Sequence, residues 1–513
     1  MTLVESMGSP VTSTEPTGTV LRGRRVLVVG GGLTGASVAR FLARHDIPFD
    51  LVDDGGVPDE LAALVGGVVH GSLDAALARA FDVIVLSPGV PRSHPAVVAA
   101  LAAGVSVVGD IELFAARVAV PLVAVTGSNG KSTVVAWLTD LLGRLGIRAV
   151  ACGNIGLPAL DSLDDETVAA DPAPERGDDR VQCHVLELSS YQLESTTSLA
   201  PHASVVLNVS DDHLDRYDSL ADYAAAKRRV HDRTTHAVVN ADDPATRPAD
   251  AAAPVFALFT AKGHGTAPAT ADGVEEGRAA ATDPASGPCV SWRLTDIDGR
   301  AWLCRDGEPL LERARLALPG AHNAANALAV LALLDALGSA GGRVAGGETA
   351  VAPFAGLATR ADTLEALCAF PGLPHRTELV GEAHGVRWYN DSKGTNVDAC
   401  IKALEAMPGP VLLIAGGLSK GADFAPLRPV VARVARAVVL IGRDRMRLHA
   451  ALDGAAPLHL SDSLDAAVIL CAELAVRGDT VLLSPACASF DMFADFTDRG
   501  RRFAGLVEEA IAA

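Results

Sequence analysis

The residues best placed to do chemistry lie in Thr126-Gly127-Ser128-Asn129-Gly130-Lys131-Ser132-Thr133, between an apolar run and a helical pattern. Glycines there let backbone N–H groups close around phosphate oxygens, and the start of the helix adds a favourable dipole. Lys131 brings positive charge to the terminal phosphates, and the hydroxyl of Ser132 or Thr133 is placed to reach Mg²⁺. Only two residues separate Gly127 from Gly130, fewer than in the standard phosphate loop, so this is a shortened variant. With strand, Lys-Ser pair and helix all in place, the expectation is a nucleoside triphosphate site and not a mere connecting turn.

A second Gly-rich turn, Gly30-x-Gly32-x-x-Gly35, also follows a strand and opens a helix, and Asp53 ends the next strand. That pattern fits a dinucleotide, the diphosphate of a UDP-sugar, or a structural turn. Glu187 closes the apolar strand of HVLELSSYQLE, and Asp211, Asp212, His213 and Asp215 follow another strand ending near Val209. Mg²⁺ prefers oxygen ligands beside substrate phosphates, so one Glu with a loop hydroxyl suits it. Read locally, His213 is a surface histidine among acids. Lys227, one helical turn after Tyr223, reads as a solvated lysine.

These residues need elements to hold them. After a tail over 1–22, strands at Val26–Val29, Phe49–Val52 and Phe81–Leu86 alternate with helical patterns, which implies parallel βαβ units. A second series starts at Pro121, and a third follows LPHRTELV with VRWYNDSKGTN, VLLIAGG, AVVLIG and VLLSPACAS. The expected fold is α/β in three domains: 23–117, 118–372 and 373–513. The first and last are Rossmann-like, and the middle one is a P-loop sheet. The acidic stretch 161–180 and the Gly/Ala/Pro-rich stretch 260–288 read as insertions.

The 513 residues are 49% hydrophobic and 20% charged, enough for several packed cores. A net charge of -19 argues against a nucleic-acid or anionic-membrane partner, though a local cationic ring can still hold phosphate. The eight cysteines form no C-x-x-C pair, the first twenty residues do not read as a secretory leader, and no apolar run reaches membrane length. Reduced thiols and a cytoplasmic location are expected.

In order, GGLTGAS, SPG, VGDIELF, VTGSNGKST, GNIG, LELSSYQLE, NVSDDHLDRY, AAKRR, LPGAHNAAN, LPHRTELV, NDSKGTN, GGLSKGADF and LLSPACASFDMF resemble the Mur ligases of peptidoglycan synthesis, most closely the D-glutamate-adding branch. The resemblance runs from about Arg24 to the C-terminus. It implies an ATP- and Mg²⁺-dependent ligase that joins D-glutamate to UDP-N-acetylmuramoyl-L-alanine through an acyl phosphate, acting as a monomer. It also resolves the first Gly-rich turn in favour of UDP.

By the same resemblance Leu33, Thr34, Ser87 and Gly89 hold the UDP substrate, and Asn154 sits near the reacting groups. Gly127 to Thr133, Asn326, Arg376 and Asp391 bind ATP. Ser132, Glu187, His213 and Lys227, the last as an N-carbamate, surround the metal. Lys131, Glu187, His213, Lys227 and Asn154 carry the catalytic roles. Lys393, Thr395, Lys420, Ser489 and Phe496 line the D-glutamate pocket. One departure is Asp54-Gly55, where the family's best-known members carry Thr-Arg. An NAD-dependent oxidoreductase has no use for Lys131 or HNAAN, and an ATP-driven switch would form no amide.

Overall fold

The computed structural model describes residues 21–77, 80–163, 181–210, 216–250, 254–262, 289–339, 343–344, 347–348, 353–419 and 421–512. His213 and Lys420 therefore lie outside the described residues, as do most of the 161–180 and 260–288 stretches.

Five short strands open the chain: β1 (Val26–Val29), β2 (Phe49–Val52), β3 (Val69–His70), β4 (Val83–Leu86) and β5 (Ser106–Val108). They form one sheet in the order β3-β2-β1-β4-β5, parallel throughout. VLVV and VIVL are buried along their whole length, as expected for parallel strands covered on both faces. The order reverses between β1 and β4, which puts a crevice at their carboxyl ends.

The middle sheet has nine strands: β6 (Leu122–Thr126), β7 (Ala149–Gly153), β8 (Cys183–Glu187), β9 (Ala203–Val206), β10 (His236–Asn240), β11 (Val255–Thr260), β12 (Val290–Ile297), β13 (Arg300–Arg305) and β14 (Glu308–Glu312). Their order is β14-β13-β12-β11-β10-β9-β6-β8-β7, with only the last hairpins antiparallel. The strand read as running to Val209 ends at Val206. Its continuation peels away to meet the phosphate loop: Leu207 N donates to Thr126 O, and Ser128 N to Asn208 O.

Two helices cover this sheet, Lys131–Arg144 and Ala321–Leu337. The second is buried nearly all round, so it reads AANALAVLALL without an amphipathic stripe. Trp137 on the first stacks on Phe370 with centroids 5.2 Å apart and donates to Leu367 O, tying the sheet to the chain's exit.

A two-stranded ribbon, β15 (Arg343–Val344) with β16 (Gly347–Glu348), precedes the third sheet. That sheet contains β17 (Glu378–Ala383), β18 (Val386–Asn390), β19 (Val411–Gly416), β20 (Ala435–Ile441), β21 (Leu458–Leu460) and β22 (Thr480–Leu483), ordered β17-β18-β22-β19-β20-β21. Apolar clusters fill both of its faces. All eight cysteines are unpaired, and Cys289 is the exposed one. Among the described residues no helix is long and apolar enough to cross a membrane.

One apolar cluster joins the first two sheets. It runs from Val26, Val28 and Phe41 through Ile111 and Phe114 to Leu122, Ala124, Leu186 and Leu193. By contrast, the hydrogen bonds that join the third sheet's domain to the middle one are polar side-chain contacts at the phosphate loop.

Candidate active site

The phosphate loop leaves the carboxyl end of β6, which lies between β8 and β9. Gly130, at φ 87°, caps the helix Lys131–Arg144 in the left-handed region, which disfavours any residue with a Cβ. A Cβ there would stand 2.7 Å from Asn326 Oδ1, so this glycine also lets HNAAN approach the loop. Lys131 Nζ donates to Gly127 O (2.8 Å) and Ser128 O (3.0 Å), so the ammonium lies folded over the loop. Asn129 N donates to Asn208 Oδ1 at 2.9 Å, which fixes the loop against the chain leaving β9.

Beside it, the register pairs Val125 with Glu187 and Gly153 with Glu187, so three adjacent strands end together. Gly153, at φ 98°, lets Asn154 turn back: Asn154 N donates to Glu187 O and Asn154 Nδ2 to Glu187 Oε1, both at 2.9 Å. Glu187 is 2% exposed, and its Oε2 is buried without a hydrogen-bond partner. A buried carboxylate oxygen left over in this way, beside loop hydroxyls, suits a hard cation.

Lys227 departs from its local reading. It is 1% exposed rather than solvated. Its Nζ donates to Gly127 O at 2.9 Å and lies 4.4 Å from the centre of the Tyr223 ring. The helix Leu220–Arg228, capped by Ser219, aims it inward at the loop, a relation that spacing along the chain cannot carry.

The third domain closes the other side. Arg376 Nη2 donates to Ser132 Oγ at 2.7 Å, and Asn129 Nδ2 donates to Asp398 Oδ2 at 2.7 Å. Between the domains runs a cleft lined by Asn129, Gly130, Thr133, Leu318, His322, Asn323, Asn326, Arg376, Thr377, Asp391, Lys393 and Lys402. Asp391 accepts from Thr377 N (3.1 Å) and Ser484 Oγ (2.7 Å), and burial raises its carboxyl to about 6. Burial likewise pulls His322 down to about 4, which leaves a neutral ring facing the cleft at pH 7.

Deeper in that domain, Lys393 Nζ stands 3.9 Å from the centre of the Phe496 ring, a cation–π pair joining two of the predicted pocket residues. Burial, with Arg376 second, lowers its ammonium to about 8. Thr395 N donates to Lys393 O at 2.8 Å, and Ser489 is buried at the end of the strand region after β22.

At the first Gly-rich turn, a Cβ on Gly30 would meet Ser87 Oγ at 2.6 Å, and one on Gly35 would meet Gly30 O at 1.8 Å. Both glycines are sterically required. Asp53 braces the turn, accepting from Gly31 N (2.6 Å) and Gly55 N (2.7 Å). That uses its carboxylate within the fold, where a dinucleotide site would leave it for ribose. Leu33, 81% exposed, and Thr34 open the helix Leu33–Arg44 over the crevice, opposite Ser87 and the exposed Gly89.

Sequence reasoning missed His322, Asn323, Thr377 and Lys402 in the cleft, Asp398 against the phosphate loop, and also Arg216. The HNAAN motif already contained the first two, His322 and Asn323, and His322 stands four residues before the predicted Asn326 on the same helix face. Arg216 pairs with Glu194 at 2.6 Å, lies 4.1 Å from the Tyr191 ring centre, and donates to Pro88 O of the SPG loop at 3.0 Å. Nothing in the local sequence marks that bridge.

Three family models match the chain: the Mur ligase MurD-like N-terminal domain over 24–109, the Mur ligase middle domain over 125–334 and the Mur ligase glutamate ligase domain over 375–487. Curated relatives include the UDP-N-acetylmuramoylalanine--D-glutamate ligase of Nitrosococcus oceani, 43% identical, with 95% of this chain and 97% of that protein covered. The ligase of the same name from Pseudomonas aeruginosa is 42% identical over 94% and 97%. Among solved structures, the UDP-N-acetylmuramate-alanine ligase MurC of Thermotoga maritima shares the fold at TM-score 0.53 and 20% identity, covering 95% of this chain and 100% of its own. The MurF ligase of the same organism, solved with ADP, does so at 0.54 and 16%, covering 91% and 95%. The cleft between middle and third domains, the matched domain order and the full-length identity lead to one conclusion: this chain belongs to the Mur ligase family, in the branch of the UDP-N-acetylmuramoylalanine--D-glutamate ligases.

Proposed function

We propose that the protein uses ATP to join D-glutamate to UDP-N-acetylmuramoyl-L-alanine, releasing ADP and phosphate. The observation that carries this reading is the meeting of two domains at the phosphate loop, where Arg376 touches Ser132 and Glu187 keeps an unpaired buried oxygen. The names of the full-length relatives support the substrates.

In this reading ATP lies in the interdomain cleft, its base near His322 and Asn326 and its phosphates along Gly127–Thr133. A carboxylate is a poor electrophile and oxide a poor leaving group. The γ-phosphoryl group therefore passes to the alanyl carboxylate, making an acyl phosphate. The amine of D-glutamate attacks that carbonyl, and the tetrahedral adduct collapses to amide and phosphate. The chain contributes position and charge. Lys131 and Arg376 face the transferred oxygens, and Asn154 holds Glu187 and stands at the reacting carboxylate. Lys393, with Thr395, Ser489 and Phe496, receives the two carboxylates of D-glutamate by charge-assisted bonds. Lys420 and His213 join these sets by family resemblance alone. Ser132 and Glu187 would hold Mg²⁺, with Lys227 joining them if it bears a carbamate. When bound, the ion neutralises charge growing on the phosphoryl oxygens. Leu33, Thr34, Ser87 and Gly89 take the uridine nucleotide. Closure of the third domain shields the acyl phosphate from water.

The test is phosphate release from ATP and Mg²⁺ with UDP-N-acetylmuramoyl-L-alanine, with and without D-glutamate, followed by product mass. Release that needs both substrates, with a mass gain of one glutamyl residue, is expected. Hydrolysis of ATP independent of both would sink the scheme.

A further inference from the structure

Arg499 is 1% exposed, one of the largest fully buried side chains, and the function proposed above gives it no role. Its guanidinium spans two segments. Nε donates to Ser392 Oγ at 2.9 Å and Nη2 to Ser392 O at 2.8 Å. Nη1 and Nη2 both donate to Cys487 O at 3.2 Å. Ser392 Oγ passes the connection on, donating to Phe496 O at 2.8 Å. Among the described residues these bonds end only on neutral oxygens, although a buried guanidinium ordinarily sits with a carboxylate.

The positions it holds are adjacent to the amino-acid pocket. Ser392 precedes Lys393, Cys487 lies two residues before Ser489, and Phe496 opens the helix that carries Arg499 itself. The segment at Ser392 and the one at Cys487 are thus pinned to the helix of Arg499 by one planar fork, which a lysine cannot reproduce. Its charge lies in a low-dielectric interior, acted on by Asp491 and Asp391 but hydrogen-bonded to neither, so it is only partly offset beside the pocket. Burial lowers its guanidinium to about 10, still charged at neutral pH.

We propose that Arg499 is a positioning residue for the dicarboxylic amino acid: it aligns Lys393, Ser489 and Phe496 and adds positive charge beside the pocket. This rests on the reading of that pocket as the D-glutamate site. The experiment compares full-length wild type, Arg499→Met and Arg499→Lys with ATP, Mg²⁺ and UDP-N-acetylmuramoyl-L-alanine, taking KM for each substrate. Arg499→Met should raise KM for D-glutamate at least about tenfold, a change one buried charge can supply, with KM for ATP within about twofold. Arg499→Lys keeps the charge but loses the fork and should recover part of that loss. Unchanged KM for D-glutamate in either variant, or an equal rise in all three KM values, overturns the proposal. Should Arg499→Met fail to melt cooperatively, Arg499→Lys decides alone, with a rise in KM for D-glutamate of at least about threefold required. Wild type that does not saturate with D-glutamate would instead defeat the reading of the pocket.

Discussion

Two buried acids illustrate what one side chain does here. Glu187 has one oxygen bonded to Asn154 and the other free of hydrogen bonds. Glu187→Gln keeps the shape but removes the charge, and kcat should fall about 10²–10³-fold, as when a preorganised charge-stabilising group is lost. Initial rates at saturating substrates measure this, and a loss under threefold would remove Glu187 from the machinery. Asp110, from the VGDIELF motif, is buried where the first domain meets the middle one, takes a 3.4 Å bond from Gln192 and leaves Oδ1 unpartnered. Burial raises its carboxyl from 3.8 to about 6. A raised folded-state value means the protonated form is favoured, so its contribution to stability is full below 3.8 and is lost as pH rises through about 6. Asp110→Asn should therefore be more stable than wild type at pH 7.5, by about 2 kcal/mol, and equal to it near pH 4. Thermal melts across pH 4–8 read the difference, and parallel curves for both proteins would refute it.

At the scale of elements, the site depends on where strands stop and how their loops turn. Gly130→Ala adds a left-handed strain of about 1–2 kcal/mol and drives a Cβ into Asn326. Nucleotide affinity should drop at least about tenfold, measured by titration with a non-hydrolysable ATP analogue. Binding within twofold of wild type would contradict the loop geometry. The strands that carry the site were legible as apolar runs before Gly-rich turns, because buried parallel strands leave that pattern. The strand sides of the cleft were legible for the same reason, down to Glu187 at its strand end. Lys227 was not, since the pattern DYAAAKRRV is polar enough for a surface helix and its burial follows from packing on Tyr223 and Gly127. Neither was Arg216 or Arg499, whose partners lie over a hundred residues away or on backbone carbonyls that no side-chain motif records. The three-domain α/β architecture came through because strand–helix alternation repeats in three series, each opened by its own signal.

The whole molecule is held by two unlike seams. An apolar cluster and the contacts of Glu112 with Thr197 and Ser198, and of Arg40 with Asp161, join the first domain to the second. The third meets the second through Asp398, which accepts from Asn129, Ser210 and Lys402, and through Arg376. Hydrogen bonds to a carboxylate contribute about 1.5–3 kcal/mol each at most, so this seam rests on a few bonds where the first rests on a packed core. Asp398→Ala should loosen this seam in the ligand-free protein, raising the radius of gyration in solution scattering. Scattering curves that superimpose on wild type would rule this out.

The unlike seams also say where this chain can be recombined. A chimera that takes its first domain from a distant relative cuts through one continuous, close-packed apolar core, and every side chain along the cut must be matched in volume. A junction near residue 373 severs mostly part-buried polar contacts at the phosphate loop, which a foreign partner can re-form with a handful of side chains. Grafting at that second junction is the tractable route to exchanging amino-acid selectivity, provided the incoming domain brings its own counterparts of Arg376 and Asp391 to complete the nucleotide cleft.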